Sequence, residues 1–215
     1  MSFHEELLHD TEQARRDFQA IPTLVRGVNG DISRDAYVGF LTQAYHHVKH
    51  TVPLLMACGA RLPTRLAWLR EGIAHYIKEE LGHEQWILND IAVAGGDPDA
   101  VGRGYPDAST DIMVAYAYDS IARGNPIAFF GMVLVLEGTS VQFASRAAAA
   151  IQDRSGLPAT AFSYLRSHGS LDEEHIHFYK RLIDRLDDAE DREAVAHASR
   201  IFYRLYGDVF RSIPV

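Results

Sequence analysis

Apolar positions recur along the chain at helical spacing and nowhere alternate over any length, so no strand is predicted. Pro, Gly and capping residues divide the pattern into helices. The first is predicted from about Phe3 to Ala20 and stops before Pro22. The second opens at Ser33, a good N-cap, and ends near Gly59. Its apolar positions Tyr37, Leu41, Val48, Val52 and Leu55 keep helical spacing. A third runs from near Pro63 to the Gly95-Gly96 stop, with Gly72 as the point expected to bend or weaken it. The stretch from Gly96 through Pro106 reads as a turn-rich loop. Ser109 is expected to cap a fourth helix ending near Gly124, and Asn125-Pro126 starts a fifth that runs to about Asp153. Leu157-Pro158 opens a sixth, and the last covers roughly Asp188 to Arg211. The expectation is an all-α, single-domain bundle of about seven helices over residues 1–215.

Composition narrows the partners rather than the fold. The formal net charge of −8 argues against a nucleic-acid surface and against a polybasic membrane patch. The most apolar run, Ile127 to Leu136, is too short to span a bilayer and reads as part of a buried core helix. A single cysteine, Cys58, excludes an intrachain disulfide and suits a reducing cytoplasm. The start, Met1-Ser2-Phe3-His4-Glu5-Glu6, lacks the basic-then-apolar form of a signal peptide.

Candidate chemistry concentrates on three predicted helices. On the sixth, His168, Asp172 and His175 are four and seven residues apart, which at about 100° per residue puts them side by side. Two imidazoles around a carboxylate suit iron, manganese or zinc. Gly169 sits inside this stretch, and Ser170 and Glu173 have capping-box spacing, so a helix break is expected at His168. On the third helix, Glu80 and His83 have the Glu-x-x-His spacing of carboxylate-bridged di-iron bundles. Glu79 competes for that role, but Glu80 shares the side of Ile77, Leu81, Ile87, Leu88 and Ile91, and Glu79 does not. On the fifth, Glu137 interrupts an apolar run from Phe129 onward, with no basic residue near it until Arg146. A buried carboxylate there must be paired, neutralised or metal-bound. Three carboxylates and three imidazoles suit two divalent ions, and the mixture of oxygen and imidazole ligands without thiolate favours iron or manganese over structural zinc.

Further polar residues surround this set. His47 borders the apolar face of the second helix, where a substrate or supporting role is open to it, while His46 and His50 are expected at the surface. Asp90 falls on the face of His83 and is expected to hydrogen-bond a ligand imidazole. Tyr45, Tyr76 and Tyr116 are candidates to line a pocket, and His177 points away from His175.

These residues resemble the haem-oxygenase-like di-metal oxidases, a branch of the superfamily that includes haem oxygenase, thiaminase II (TenA) and pyrroloquinoline-quinone synthase. The family pattern is a Glu and a His on the third core helix, a Glu on the fifth, and His-x3-Asp-x2-His on the sixth. Glu80/His83, Glu137 and His168/Asp172/His175 match it in order. Some members space the first Glu and His by six residues, and that position here is Tyr76, which supplies no carboxylate.

The resemblance covers essentially the whole chain and implies a haem-oxygenase-like bundle binding two iron ions, with manganese an option in one site. It implies activation of dioxygen to oxidise a small organic substrate: a fatty acid, an amino acid or a derived amine. Haem is not expected, because Arg15 stands where the haem-ligating His of haem oxygenase would fall and the distal glycine-rich kink is missing around Leu136–Thr139. Cys58 reads as a small buried hydrophobe rather than the nucleophile of a thiaminase. A metal-free TenA- or quinone-synthase-like enzyme, and a non-catalytic binding protein of the same fold, are the alternatives. The second and last helices are amphipathic enough to allow a homodimer.

Overall fold

A computed structural model describes residues 1–214, and of residues 170–173 the backbone only. The described residues form twelve α-helices and three short 3-10 turns, with no strand. The helices are α1 (Phe3–Asp10), α2 (Glu12–Gln19), α3 (Pro22–Val28), α4 (Arg34–Val48), α5 (Thr51–Arg61) and α6 (Leu69–Glu80). They continue as α7 (His83–Val93), α8 (Pro98–Arg103), α9 (Ala108–Arg123), α10 (Phe129–Ser155), α11 (Ser163–Ile183) and α12 (Ala189–Ser212). The bundle is all-helical as expected, but the count of about seven is too low. Each of the first three expected helices is divided: the first at Thr11, the second between Val48 and Thr51, and the third at Leu81-Gly82. The segment read as a loop after Gly96 contains α8, with Pro98 at its first position and the Asp97 side chain accepting from the Ala100 N–H.

The break in the third expected helix bears most on function. Leu81 is extended, with ψ of 119°, and Gly82 has φ of 88°, a left-handed conformation that costs a side-chain-bearing residue strain. Gly72 does not bend the chain. It lies within α6, where an added Cβ would come within 2.8 and 2.9 Å of the Leu182 methyls, so it is small to let α6 approach α11.

α10 is the axis of the fold and packs along both α11 and α12. Close approach is again set by glycine. A Cβ on Gly131 would meet the Ser199 nitrogen at 2.6 Å, and one on Gly169 would meet Ser145 Oγ at 2.2 Å. Gly169 therefore does not mark a break: α11 runs unbroken from Ser163 through His168 to Ile183. Packing compensates a helix-interior glycine that propensity alone would penalise by about 1 kcal/mol.

Two apolar clusters fill the interior. One joins Leu54, Leu55, Ile73, Phe130, Leu134, Tyr179 and Phe202; the other joins Tyr37, Leu41, Ile87, Ile91 and Phe162. Segment Pro126–Ser155 is long and apolar enough to cross a membrane by length and composition, so the shorter run read from the sequence understates it, and most of it is buried inside the bundle.

Candidate metal centre

Four helices, rather than the three expected, bring the candidate ligands together. Glu80 is the last residue of α6 and His83 the first of α7, so the Gly82 turn sits between them. Both are buried, and Glu80 Oε2 lies 3.1 Å from His83 Nδ1. The Trp86 ring stacks on His83 with centroids 4.0 Å apart, fixing the imidazole plane from the next turn of α7. His168 on α11 meets His83 edge-on at 4.9 Å, and Tyr164 packs against it at 4.7 Å. Ligand atoms of Glu80, His83 and His168 all lie within 4.8 Å of one another.

A second group adjoins the first through Glu80. His175 Nδ1 lies 3.7 Å from Glu80 Oε1 and 3.7 Å from Glu137 Oε1. The two oxygens of Glu80 thus face imidazoles from different helices. Tyr76 donates to Glu137 Oε2 and to the His175 carbonyl, each at 3.4 Å. Asp172 shares the α11 backbone between His168 and His175, but its side chain lies outside the described residues.

Glu79 has a role that the sequence reading missed. Its carboxylate accepts from His175 Nε2 at 2.8 Å and also lies 3.3 Å from His75 Nε2. A carboxylate only accepts, so the hydrogen bond places the His175 proton on Nε2 and turns the Nδ1 lone pair toward Glu80 and Glu137. Orientation of a ligand imidazole by a carboxylate on its far nitrogen is a common arrangement at metal sites. Glu79 and Glu80 are therefore not rivals for one position.

Asp90 corrects another expectation. It is fully buried but bonds no imidazole: it accepts from the Ser163 N–H at 3.1 Å, the Ser163 hydroxyl at 2.5 Å and the Tyr164 N–H at 2.8 Å. Burial pushes its carboxyl pKa up, and these three bonds oppose that shift. The effect is to anchor the first turn of α11, the helix that carries His168 and His175, to α7.

The remaining candidates divide. Tyr76 and His47 line a cavity of about 150 Å³ that also reaches Glu80, Glu137 and His168. Tyr45 does not line it and packs edge-on against His46. Tyr116 packs on Phe202. His46, expected at the surface, is only 1% exposed, with Lys49 Nζ 3.1 Å from its Nδ1. Cys58 is buried, its thiol donates to the Pro126 carbonyl, and burial pushes its pKa up to about 12, as befits a structural residue.

The donor set fits a cation on internal grounds. Glu80 and Glu137 approach the same imidazole nitrogen, His83 Nδ1 is buried without a hydrogen bond, and no Lys or Arg is among the described residues lining the cavity. Like-charged carboxylates brought together without a counter-charge repel unless a proton or a cation joins them.

The all-helical architecture is a haem-oxygenase-like fold. The fold agrees over nearly the whole chain with a domain of unknown function from Shewanella denitrificans OS217 described as having a haem oxygenase-like fold: TM-score 0.84, 22% identity, covering 99% of this chain and 92% of that one. A TenA homologue from Pseudomonas syringae pv. tomato gives a TM-score of 0.81 at 10% identity, covering 97% and 91%. Haem oxygenase-1 from Synechocystis sp. PCC 6803, solved with haem, gives 0.72 at 12% identity, covering 98% and 91%. The chain belongs to the family of iron-containing redox enzymes, whose model matches residues 38–207. No curated protein matches it.

Proposed function

We propose that the chain is an oxygen-dependent oxidoreductase that binds two iron ions, or one iron and one manganese, and oxidises a small organic substrate in its interior. The observation that carries this reading is the position of Glu80. One of its oxygens lies 3.1 Å from His83 Nδ1 and the other 3.7 Å from His175 Nδ1, as suits a carboxylate shared between two adjoining ligand groups. Glu80, His83 and His168 would hold one ion. Glu137 and His175, with Glu80 shared, would hold the other, and Asp172 is the remaining candidate there. When bound, the ions supply the reduction of dioxygen and the oxidation of the substrate.

The protein's own part is placement. Trp86 and Tyr164 fix the His83 and His168 rings, Glu79 sets the tautomer of His175, and Tyr76 donates to Glu137. Apolar side chains of α3, α4, α5 and α10 wall the cavity. A fatty acid, an amino acid or a derived amine remain the substrate classes that the family resemblance suggests.

Haem chemistry is disfavoured, since the Arg15 guanidinium donates to the Leu8 carbonyl and cannot ligate iron. A cysteine-dependent thiaminase reaction is disfavoured by the buried, bonded Cys58. Anaerobic titration with ferrous iron tests the proposal: about two ions per chain are expected, with uptake reduced by His83→Ala and by His175→Ala. No uptake, or uptake indifferent to both substitutions, overturns it.

A further inference from the structure

Two polar atoms in the cavity wall are left over by the metal-binding set. His47 on α4 is 2% exposed, lies edge-on to Tyr206 with centroids 5.8 Å apart, and has a buried Nδ1 that makes no hydrogen bond. Ser140 on α10, about one turn beyond Glu137, has a buried Oγ that makes none either. Both residues line the same cavity. A buried polar atom without a partner is costly, and native proteins rarely keep one without reason. Two of them in one cavity are better explained by a missing hydrogen-bonding partner than by packing.

Charge and size describe that partner. A neutral imidazole at His47 offers one N–H and one lone pair. No Lys or Arg is among the described lining residues, so away from any ions held by Glu80 and Glu137 the wall offers nothing to balance an anionic group. An apolar cavity of about 150 Å³ is the size that takes up benzene in another protein.

We propose that His47, with Ser140, is a polar subsite that anchors an uncharged, largely apolar portion of the substrate, of about six to ten heavy atoms, through a single hydroxyl or carbonyl group. The subsite rests on the reading above only in taking this cavity as the substrate chamber. It gives His47 a positioning role beside the metal ligands and makes the anchoring group the determinant of specificity.

Phenol and toluene, nearly equal in size and differing by one hydroxyl, test it by calorimetry on the full chain, both metal-free and iron-loaded. Phenol is expected to bind about tenfold more tightly than toluene. His47→Leu abolishes that ratio, leaves toluene binding intact, and raises the thermal midpoint because an unpaired buried nitrogen is removed. Ser140→Ala lowers the ratio about threefold and keeps the test open if His47→Leu does not fold. Equal binding of phenol and toluene by the wild type overturns the proposal, as does equal loss of both in His47→Leu, or a fall in its midpoint. Benzoate binding more tightly than phenol to the metal-free chain overturns the uncharged class. Failure to load iron counts against the redox reading and leaves the phenol-to-toluene ratio standing. Loss of the ratio with iron loading intact removes the subsite alone.

Discussion

The molecule buries carboxylates in two different ways. Asp191, fully buried at the start of α12, accepts two hydrogen bonds from the Arg65 guanidinium and a third from Asn125 Nδ2 at 2.7 Å. Glu80, 7% exposed, looks instead at His83 and His175, with Glu137 beyond. The first carboxylate is met by a cation from within the chain. The second belongs to a cluster of carboxylates and imidazoles, with Tyr76 donating to Glu137, and no Lys or Arg is among the described residues of its cavity. Buried charge that the fold itself neutralises holds helices together. Buried carboxylates gathered with imidazoles instead mark a candidate functional site.

Substitutions at the two carboxylates should therefore separate. Glu80→Ala removes a ligand shared by both proposed ions, and iron affinity should fall by more than about 100-fold, beyond what supporting residues usually cost. The metal-free protein should keep or slightly gain thermal stability, because a like charge near Glu137 is gone. Isotherms by metal analysis and a melting curve on the same sample check both halves. A large loss of stability in the metal-free variant would erase the distinction.

Asp191→Ala should do the reverse. It strands Arg65 and Asn125 and should cost about 2–3 kcal/mol by urea unfolding, toward the low side for a buried pair because Arg65 is half exposed. Iron bound per folded chain should not change. The Arg65 hydrogen bonds hold the Asp191 pKa below the usual carboxylate range. Its contribution is therefore complete above the unfolded carboxylate pKa and is lost as pH falls through the folded one. Asp191→Asn should flatten the acid limb of the stability profile, and an unchanged limb would assign the acid sensitivity elsewhere.

The sequence exposes these features unevenly. Glu137 stands out because a charge in an apolar helix demands explanation wherever that helix packs, and Glu80 and His83 stand out because their spacing survives the turn between them. The turn itself is hidden: Gly82 lies in a strongly helical pattern, and nothing local distinguishes a left-handed glycine from a tolerated one. Gly169 misleads in the opposite direction. Local propensity reads it as a break, while its cause is Ser145 on a neighbouring helix. Asp90 and Glu79 fail for the same reason. Their partners are 73 and 96 residues away, so helix-face arguments place the carboxylates but cannot name what they meet.

Gly169→Ala turns that lesson into a measurement. The added methyl would collide with Ser145, and separating α10 from α11 should cost about 1–3 kcal/mol, more than the gain in helix propensity returns. Gly169→Ala combined with Ser145→Gly should recover part of the loss. A stabilised single variant would mean that the two helices do not approach as closely as the fold requires.

The smallest expected effect is the most particular. Glu79 is 38% exposed and meets the cluster through His175 Nε2. Glu79→Ala frees that ring to turn or to place its proton on Nδ1, and iron affinity should fall about tenfold. Folding should hardly change, since a partly exposed hydrogen bond contributes little. Glu79→Gln restores an acceptor in the same place without the charge and should recover most of the affinity. If Gln recovers none, the charge of Glu79 matters rather than its hydrogen bond. If Ala loses nothing, the packing of Tyr76 against His175, with rings 5.5 Å apart, is enough to orient the imidazole.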